Sequence, residues 1–206
     1  HLAVVFDTSA PTFRHIQYKE YKANREAMPE DLRTAIPYVR KLLKILDIPC
    51  LQMDGFEADD LIGTISQQLD EEQFNVYMVT PDKDYAQLVK DNVFLYKPNS
   101  RGGGYKVLGT EEVKETFGVR PDQIIDFLGL KGDAVDNIPG IPGIGEKTSK
   151  KLIKQYGSVE GLIADLLNNT DQNIRYEQAS YFIRSVVNFQ DGGGSRLLLP
   201  CSWGAK

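Results

Sequence analysis

Apolar residues first appear as an unbroken run, Leu2–Phe6, closed by Asp7. A run without alternation predicts a buried strand of a parallel sheet. Residues 8–28 carry no apolar stripe. Aromatic and basic residues interleave there, from Phe13, Arg14 and His15 to Tyr21, Lys22 and Arg25, and the segment reads as a loop or an exposed helix. Between 30 and 46, Leu32, Ile36, Val39, Leu42, Leu43 and Leu46 fall on one side of a helix, with Pro37 placed to kink it. Strands read at 49–53, 75–80, 93–97 and 105–108 alternate with helices near 57–72 and 82–90, and 98–104 (PNSRGGG) reads as a turn. This alternation predicts an α/β domain with a mostly parallel central sheet and flanking helices. From Thr110 the pattern is helical, punctuated by Gly118, Pro121, Gly132, Pro139, Pro142 and Gly157. The expected organisation is an α/β core over 1–109 and a helical subdomain over 110–191. Residues 192–206 open on a glycine-rich linker and are assigned no role.

With 206 residues, 41% apolar and 26% charged, the composition is that of a globular protein with ample material for a core. No apolar run approaches the roughly 20 residues that span a bilayer. The opening HLAVVFD reads as a strand and not as a secretory leader. Cys50 and Cys201 do not make a disulfide scaffold, so a reducing cytoplasm is the expected compartment. The net charge of −5 argues at first against phosphate ligands.

That argument changes once the acids are located. Asp7 ends the first strand; Glu57, Asp59 and Asp60 (GFEADD) follow the second; Asp82 and Asp84 (TPDKD) follow the third; Asp133 and Asp136 (KGDAVDN) stand where the helical region is read to begin. The carboxyl ends of parallel strands open onto one crevice, so these clusters are expected to converge. Crowded carboxylates raise one another's pKa values, and divalent cations would remove the conflict. With His1 and His15 the only histidines, an oxygen-ligand site for Mg²⁺ or Mn²⁺ is expected rather than a zinc site. Two ions roughly 3.5–4 Å apart form the usual clamp for phosphodiester hydrolysis. Helix capping accounts for any one of these acids, Asp82 for example, but accounts poorly for the set. Setting the eight aside leaves 21 acids against 24 bases, so the remaining surface can bind phosphate.

The stretch IPGIPGIGEKTSKKLI holds Gly143 and Gly145 just before a helix bearing Lys147, Thr148, Lys150 and Lys151. Glycines permit a tight turn, helix-start N–H groups bind anions, and nearby lysines add charge without reading bases. An ordinary Gly-Pro loop before an amphipathic helix is the alternative. The GxxxxGK[ST] nucleotide loop is absent. Residues 13–25 combine base-stacking rings with phosphate-holding cations, a single-strand-binding chemistry. Here a solvated helix is the alternative.

As a set, VVFD, FRH, YKANR, GFEADD, TPDKD and GDAVDNIPGIPGIGEKT followed by KKLI closely resemble the bacterial 5′-nuclease family. That family comprises the 5′→3′ exonuclease domains of DNA polymerase I and related flap endonucleases, and the resemblance covers nearly all of residues 2–190. It implies a 5′-nuclease (PIN-like) α/β core with an arch at 13–28, plus a helix–hairpin–helix (helix–three-turn–helix) element. It also implies metal-dependent cleavage of branched or 5′-ended duplex DNA in replication and repair. Carried over by motif, Asp7, Glu57, Asp59 and Asp60 would serve a first metal site. Asp82, Asp84 and Asp136 would serve a second, with Asp133 assisting. Lys22 and Arg25 would face the scissile phosphate as electrostatic stabilisers, and Arg14 and Tyr21 would position the strand. Residues 140–151 would grip the downstream duplex and take K⁺ on backbone carbonyls; action as a monomer is expected. The family pattern also has an earlier strand ending in an Asp that helps hold the first metal. Without that ligand the alternative is a branched-DNA-binding protein with impaired catalysis. A related metal-dependent ribonuclease is a further alternative, disfavoured by the hairpin and its lysines.

Overall fold

Parallel pairing appears in two places. β1 (Val4–Val5) pairs with β2 (Cys50–Leu51), Val4 opposite Cys50. β3 (Val76–Val79) pairs with β4 (Val93–Pro98), Val76 opposite Val93, and β4 pairs antiparallel with β5 (Tyr105–Leu108). This computed structural model describes residues 1–69, 71–99 and 103–168. The tail expected at 192–206 with its glycine-rich opening, the part of the expected helical subdomain beyond 168 and residues 100–102 of the expected turn lie outside the described residues.

The architecture is α/β with flanking helices, its parallel pairs divided between two sheets. Val4 and Val5 are only half-buried, which corrects the reading of Leu2–Phe6 as a buried strand. A two-residue pair with one described neighbour cannot be covered on every side. The helix at 30–46 forms as α2 (Glu30–Ile45) and continues through Pro37. Its apolar side, however, stays largely uncovered: Leu32, Val39, Leu42 and Leu46 are exposed. Periodicity set the helix but not its burial. α3 (Ala58–Gln68) stops short of residue 72, where Glu71 and Glu72 would oppose the negative end of the helix dipole. Residues 82–90, read as a short helix, tighten into a 3₁₀ turn at Asp84–Leu88. The Asp82 carboxylate accepts the Asp84 N–H at 2.9 Å and so shapes its entry.

α4 (Thr110–Phe117) and α5 (Ile124–Lys131) follow, then a hairpin of β6 (Gly132–Asp133) and β7 (Ile138–Pro139). Asp133 and Asp136 therefore sit in a hairpin, not at a helix start as expected. The physical reason is steric. A Cβ on Gly132 would meet the Gly140 backbone nitrogen at 2.3 Å, and one on Gly140 the Lys131 carbonyl oxygen at 2.2 Å, so glycines let the two ends of the hairpin approach. α6 (Glu146–Tyr156) and α7 (Val159–Asn168) complete the described chain. Among the described residues no helix is long and apolar enough to cross a membrane.

One apolar cluster joins the sheet to the helices. Met78, Val93, Leu95 and Leu108 pack with Val113 of α4, Phe127 and Leu130 of α5 and Ile153 of α6. Each such side chain contributes about 1.5–3 kcal/mol by leaving water. The core is continuous across residue 109.

Candidate active site

The start of α3 organises the first group of acids. Asp60 accepts the Glu57 N–H at 2.9 Å, closing the first turn, and Asp7 accepts the Ala58 N–H at 2.7 Å. This leaves the Glu57 carboxylate facing residues 14–25. That segment is not an exposed helix or loop throughout. α1 (Phe13–Gln17) carries Arg14, which is buried, as is Tyr21. The segment carries no apolar stripe because acids bury Arg14, and acids together with Tyr18 and Ile138 bury Tyr21. Arg14 donates to both oxygens of Asp60 at 2.7 Å and approaches Glu57 at 3.5 Å. Tyr21 Oη donates to Glu57 at 2.9 Å and to Asp136 at 3.3 Å. Lys22 Nζ reaches Glu57 at 2.7 Å and Asp136 at 3.9 Å. Arg25 pairs with Asp136. Glu57 and Asp136, distant in sequence, are thus bridged by Tyr21 and Lys22.

The second group centres on the 82–84 turn. Tyr85 Oη donates to Asp59 at 2.6 Å. Lys83 Nζ pairs with the buried Asp133 at 2.7 Å, and Asp133 also accepts the Val135 N–H at 2.9 Å. Asp84 Oδ1 is buried with no hydrogen-bond partner; the Lys83 ammonium stands 3.9 Å away, too far to donate. Burial, followed by the charge of Asp82, pushes Asp84 up to about 7, with Asp133 and Asp136 adding to the rise and Lys83 opposing it. Burial also raises Asp59, against the Tyr85 hydrogen bond, with Asp82 and Glu57 adding to the rise. Asp133 moves the other way: burial alone would raise it, but Lys83 and the Val135 N–H hold it below the usual carboxylate range. Burial keeps both Tyr21 and Tyr85 well above the ordinary phenol value, so both remain donors.

The acid clusters are therefore brought within electrostatic reach of one another, but not as an open cage. Among the described residues, no three acid, His or Cys side chains stand close enough to hold a metal ion as placed. In this arrangement Arg14, Lys22, Arg25 and Lys83 supply positive charge to these oxygens.

The hairpin surface is built differently. Gly143 adopts φ +81°, the left-handed turn that favours glycine. Gly145 caps α6 in an extended conformation, its carbonyl accepting both the Ser149 N–H at 2.9 Å and the Ser149 hydroxyl at 3.0 Å. Gly143, Gly145, Lys147, Thr148 and Lys151 are exposed. Lys150 is half-buried and paired with Glu146 at 2.6 Å. A cavity of about 210 Å³, lined in part by Lys83, Asp84, Lys131, Glu146 and Lys150, adjoins both this helix and the 82–84 turn. Lys83, Tyr85, Gly140 and Asn137 are not singled out in the sequence reading, and Gly132 enters it only as a break in the helical pattern. Lys83 and Tyr85 stand inside or beside the TPDKD acids, the one signal that could have marked them.

Comparison with known proteins places this arrangement. A family model described as the 5'-3' exonuclease N-terminal resolvase-like domain matches residues 1–118, and one described as the 5'-3' exonuclease C-terminal SAM fold matches residues 119–188. The chain belongs to the 5'-3' exonuclease family. It is 44% identical over 163 residues to DNA polymerase I of Rhizobium leguminosarum, covering 79% of this chain and 16% of that protein. It is 42% identical over 163 residues to the 5'-3' exonuclease of Aquifex aeolicus, covering 79% of this chain and 55% of that protein. The chain thus spans well under two thirds of these relatives. Among solved structures, the bacteriophage T5 flap endonuclease in complex with DNA and metal ions has TM-score 0.73 at 23% identity, covering 95% of this chain and 74% of that one. The T5 5'-exonuclease with bound zinc has TM-score 0.69 at 22% identity, covering 95% and 79%. The catalytic core of Rad2 with DNA substrate has TM-score 0.56 at 15% identity, covering 98% and 63%. These likenesses show the fold. In this family member the two matched stretches meet within one apolar core.

Proposed function

We propose that this chain is a metal-dependent 5′ nuclease that hydrolyses phosphodiester bonds in DNA bearing a 5′ flap or 5′ end, acting as a monomer in cytoplasmic replication and repair. The observation that carries the reading is Asp84 Oδ1, buried without a donor and surrounded by the charges of Asp82, Asp133 and Asp136. An oxygen-only donor set with an unpartnered carboxylate suits a hard divalent ion. On this reading Asp7, Glu57 and Asp59 would hold one Mg²⁺ or Mn²⁺, and Asp82, Asp84 and Asp136 would hold a second, with Asp133 assisting. Asp60 acts through Arg14, which occupies both its oxygens. When bound, the ions activate water and offset charge on the phosphate under attack.

The chain's own side chains do the rest. Lys22 and Arg25 lie on the oxygens of Glu57 and Asp136 and turn from these carboxylates to the phosphate, where they stabilise developing negative charge. Arg14 and Tyr21 fix the segment that presents them. The Gly143–Gly145 turn with Lys147, Thr148, Lys150 and Lys151 holds the duplex backbone without reading sequence, with K⁺ on the hairpin carbonyls as part of the same proposal. The test is Asp82→Ala on a labelled 5′-flap duplex. It is expected to abolish Mg²⁺-dependent cleavage while DNA binding in Ca²⁺ stays within about threefold. Unchanged cleavage would overturn the assignment of Asp82. Binding without cleavage by the unaltered chain would describe a branched-DNA-binding protein instead.

A further inference from the structure

Lys22 and Arg25 belong to the stretch between α1 and α2, which forms no regular element from Lys19 to Pro29 other than a succession of turns. Apart from Tyr21, which packs with Tyr18 and Ile138, nothing apolar anchors it. Its position is nevertheless specified by a second kind of contact. The Asn24 side-chain amide donates to the Ala134 carbonyl at 2.9 Å. The Asn137 side-chain amide donates to the Glu20 carbonyl at 2.7 Å. Between them, the Lys22 N–H donates to the Asp136 carbonyl at 2.9 Å. All three bonds join segment 20–25 to turn 134–137, and all three end on backbone carbonyls. Lys22 and Asn137 also both adopt left-handed backbone, φ +56° and +58°. Asn tolerates this conformation, whereas Lys takes it only where its surroundings impose it.

We infer that Asn24 and Asn137 are positioning residues: their amides bolt segment 20–25 to turn 134–137 and so keep Lys22 and Arg25 beside the acids. This inference rests on the nuclease reading above, in which those two cations act on the phosphate. The distinction between the two kinds of contact is what gives the amides a role. The ion pairs from Lys22 and Arg25 end on Glu57 and Asp136, the same oxygens assigned to metal, so those pairs are given up when ions and phosphate arrive. The amide bonds end on carbonyls that no ion needs, so they persist while the charged groups change partners. A cation held there by its backbone meets the phosphate with little ordering left to do.

The test uses the full chain and the double variant Asn24→Ala, Asn137→Gly; glycine preserves the left-handed turn at 137 while deleting the amide. Trypsin cleavage after Lys19, Lys22 and Arg25 is followed in Mg²⁺ and in chelator. Single-turnover cleavage and Ca²⁺-phase binding are measured on a 5′-flap duplex. Tryptic cleavage is expected to rise about tenfold or more in both conditions, and the single-turnover rate to fall about tenfold or more, with DNA affinity within twofold. Unchanged proteolysis overturns the clamp. Lost protection with an unchanged rate overturns its positioning role. Lys22→Ala separates the two levels. If that variant cleaves normally, the reading of Lys22 fails and takes this inference with it. If it loses cleavage while the double variant does not, only the clamp fails.

Discussion

The apolar cluster between β3–β5 and α4–α6 and the polar seam between residues 13–25 and the acids are both buried, and they are held by opposite chemistry. In the first, Leu95, Val113 and Leu130 are shielded by one another, and any of them would be content against other hydrocarbon. In the second, Arg14 is 5% exposed because Asp60, itself 2% exposed, occupies its guanidinium. Neither ion tolerates burial without its partner. The core is forgiving of identity and strict about volume. The seam is forgiving of volume and strict about charge.

The contrast breaks most visibly at Arg14. Arg14→Ala leaves Asp60 buried and unpaired, and denaturant unfolding should show a loss of about 3–5 kcal/mol. Asp60→Asn, added to it, should recover part of that loss, whereas no second change of charge would rescue a core cavity. Leu95→Ala, the matching lesion in the apolar cluster, should cost about 2–5 kcal/mol, with the size set by how far Leu108 and Leu130 relax into the space. A smaller effect sharpens the comparison from the acid side. An acid whose folded pKa lies above its unfolded value stabilises the fold fully below the unfolded value, about pH 4, and loses that contribution as pH rises through the folded value. Asp84, at about 7, is such a group. Without metal, the thermal midpoint should therefore fall between pH 5 and pH 8, and Asp84→Asn should remove about 2–4 °C of that fall. Asp59, raised in the same direction, leaves a residual slope. A flat profile in the unaltered chain would show that Asp84 is not held among like charges.

The same contrast explains what could be read in advance. The strands at 76–79, 93–98 and 105–108 are legible in their apolar runs, because Met78, Val93, Leu95 and Leu108 are the residues the core buries. Asp7, Glu57, Asp82 and Asp136 stand out in the sequence because acids recur after the predicted strands and at the start of the helical region. The seam was not legible. Arg14 and Tyr21 are buried by residues 36 to 115 positions away, and no local pattern announces such partners. The β6–β7 hairpin escaped for a different reason: Gly132 and Gly140 reveal their purpose only when two backbones approach. The stripe on α2 shows the converse, a clear periodicity whose apolar side remains exposed.

That one cluster of side chains spans residues 78 to 153 also fixes a length. The exposed lysines of α6 and the acids of the 82–84 turn are both carried on elements that pack into this cluster. On the nuclease reading, a duplex seated at the hairpin offers the acids the same backbone position every time. On that same reading the interior would set the distance from hairpin to cut, and a substitution at Phe127 or Ile153 would be expected to alter the register of the cut without touching a single charged group.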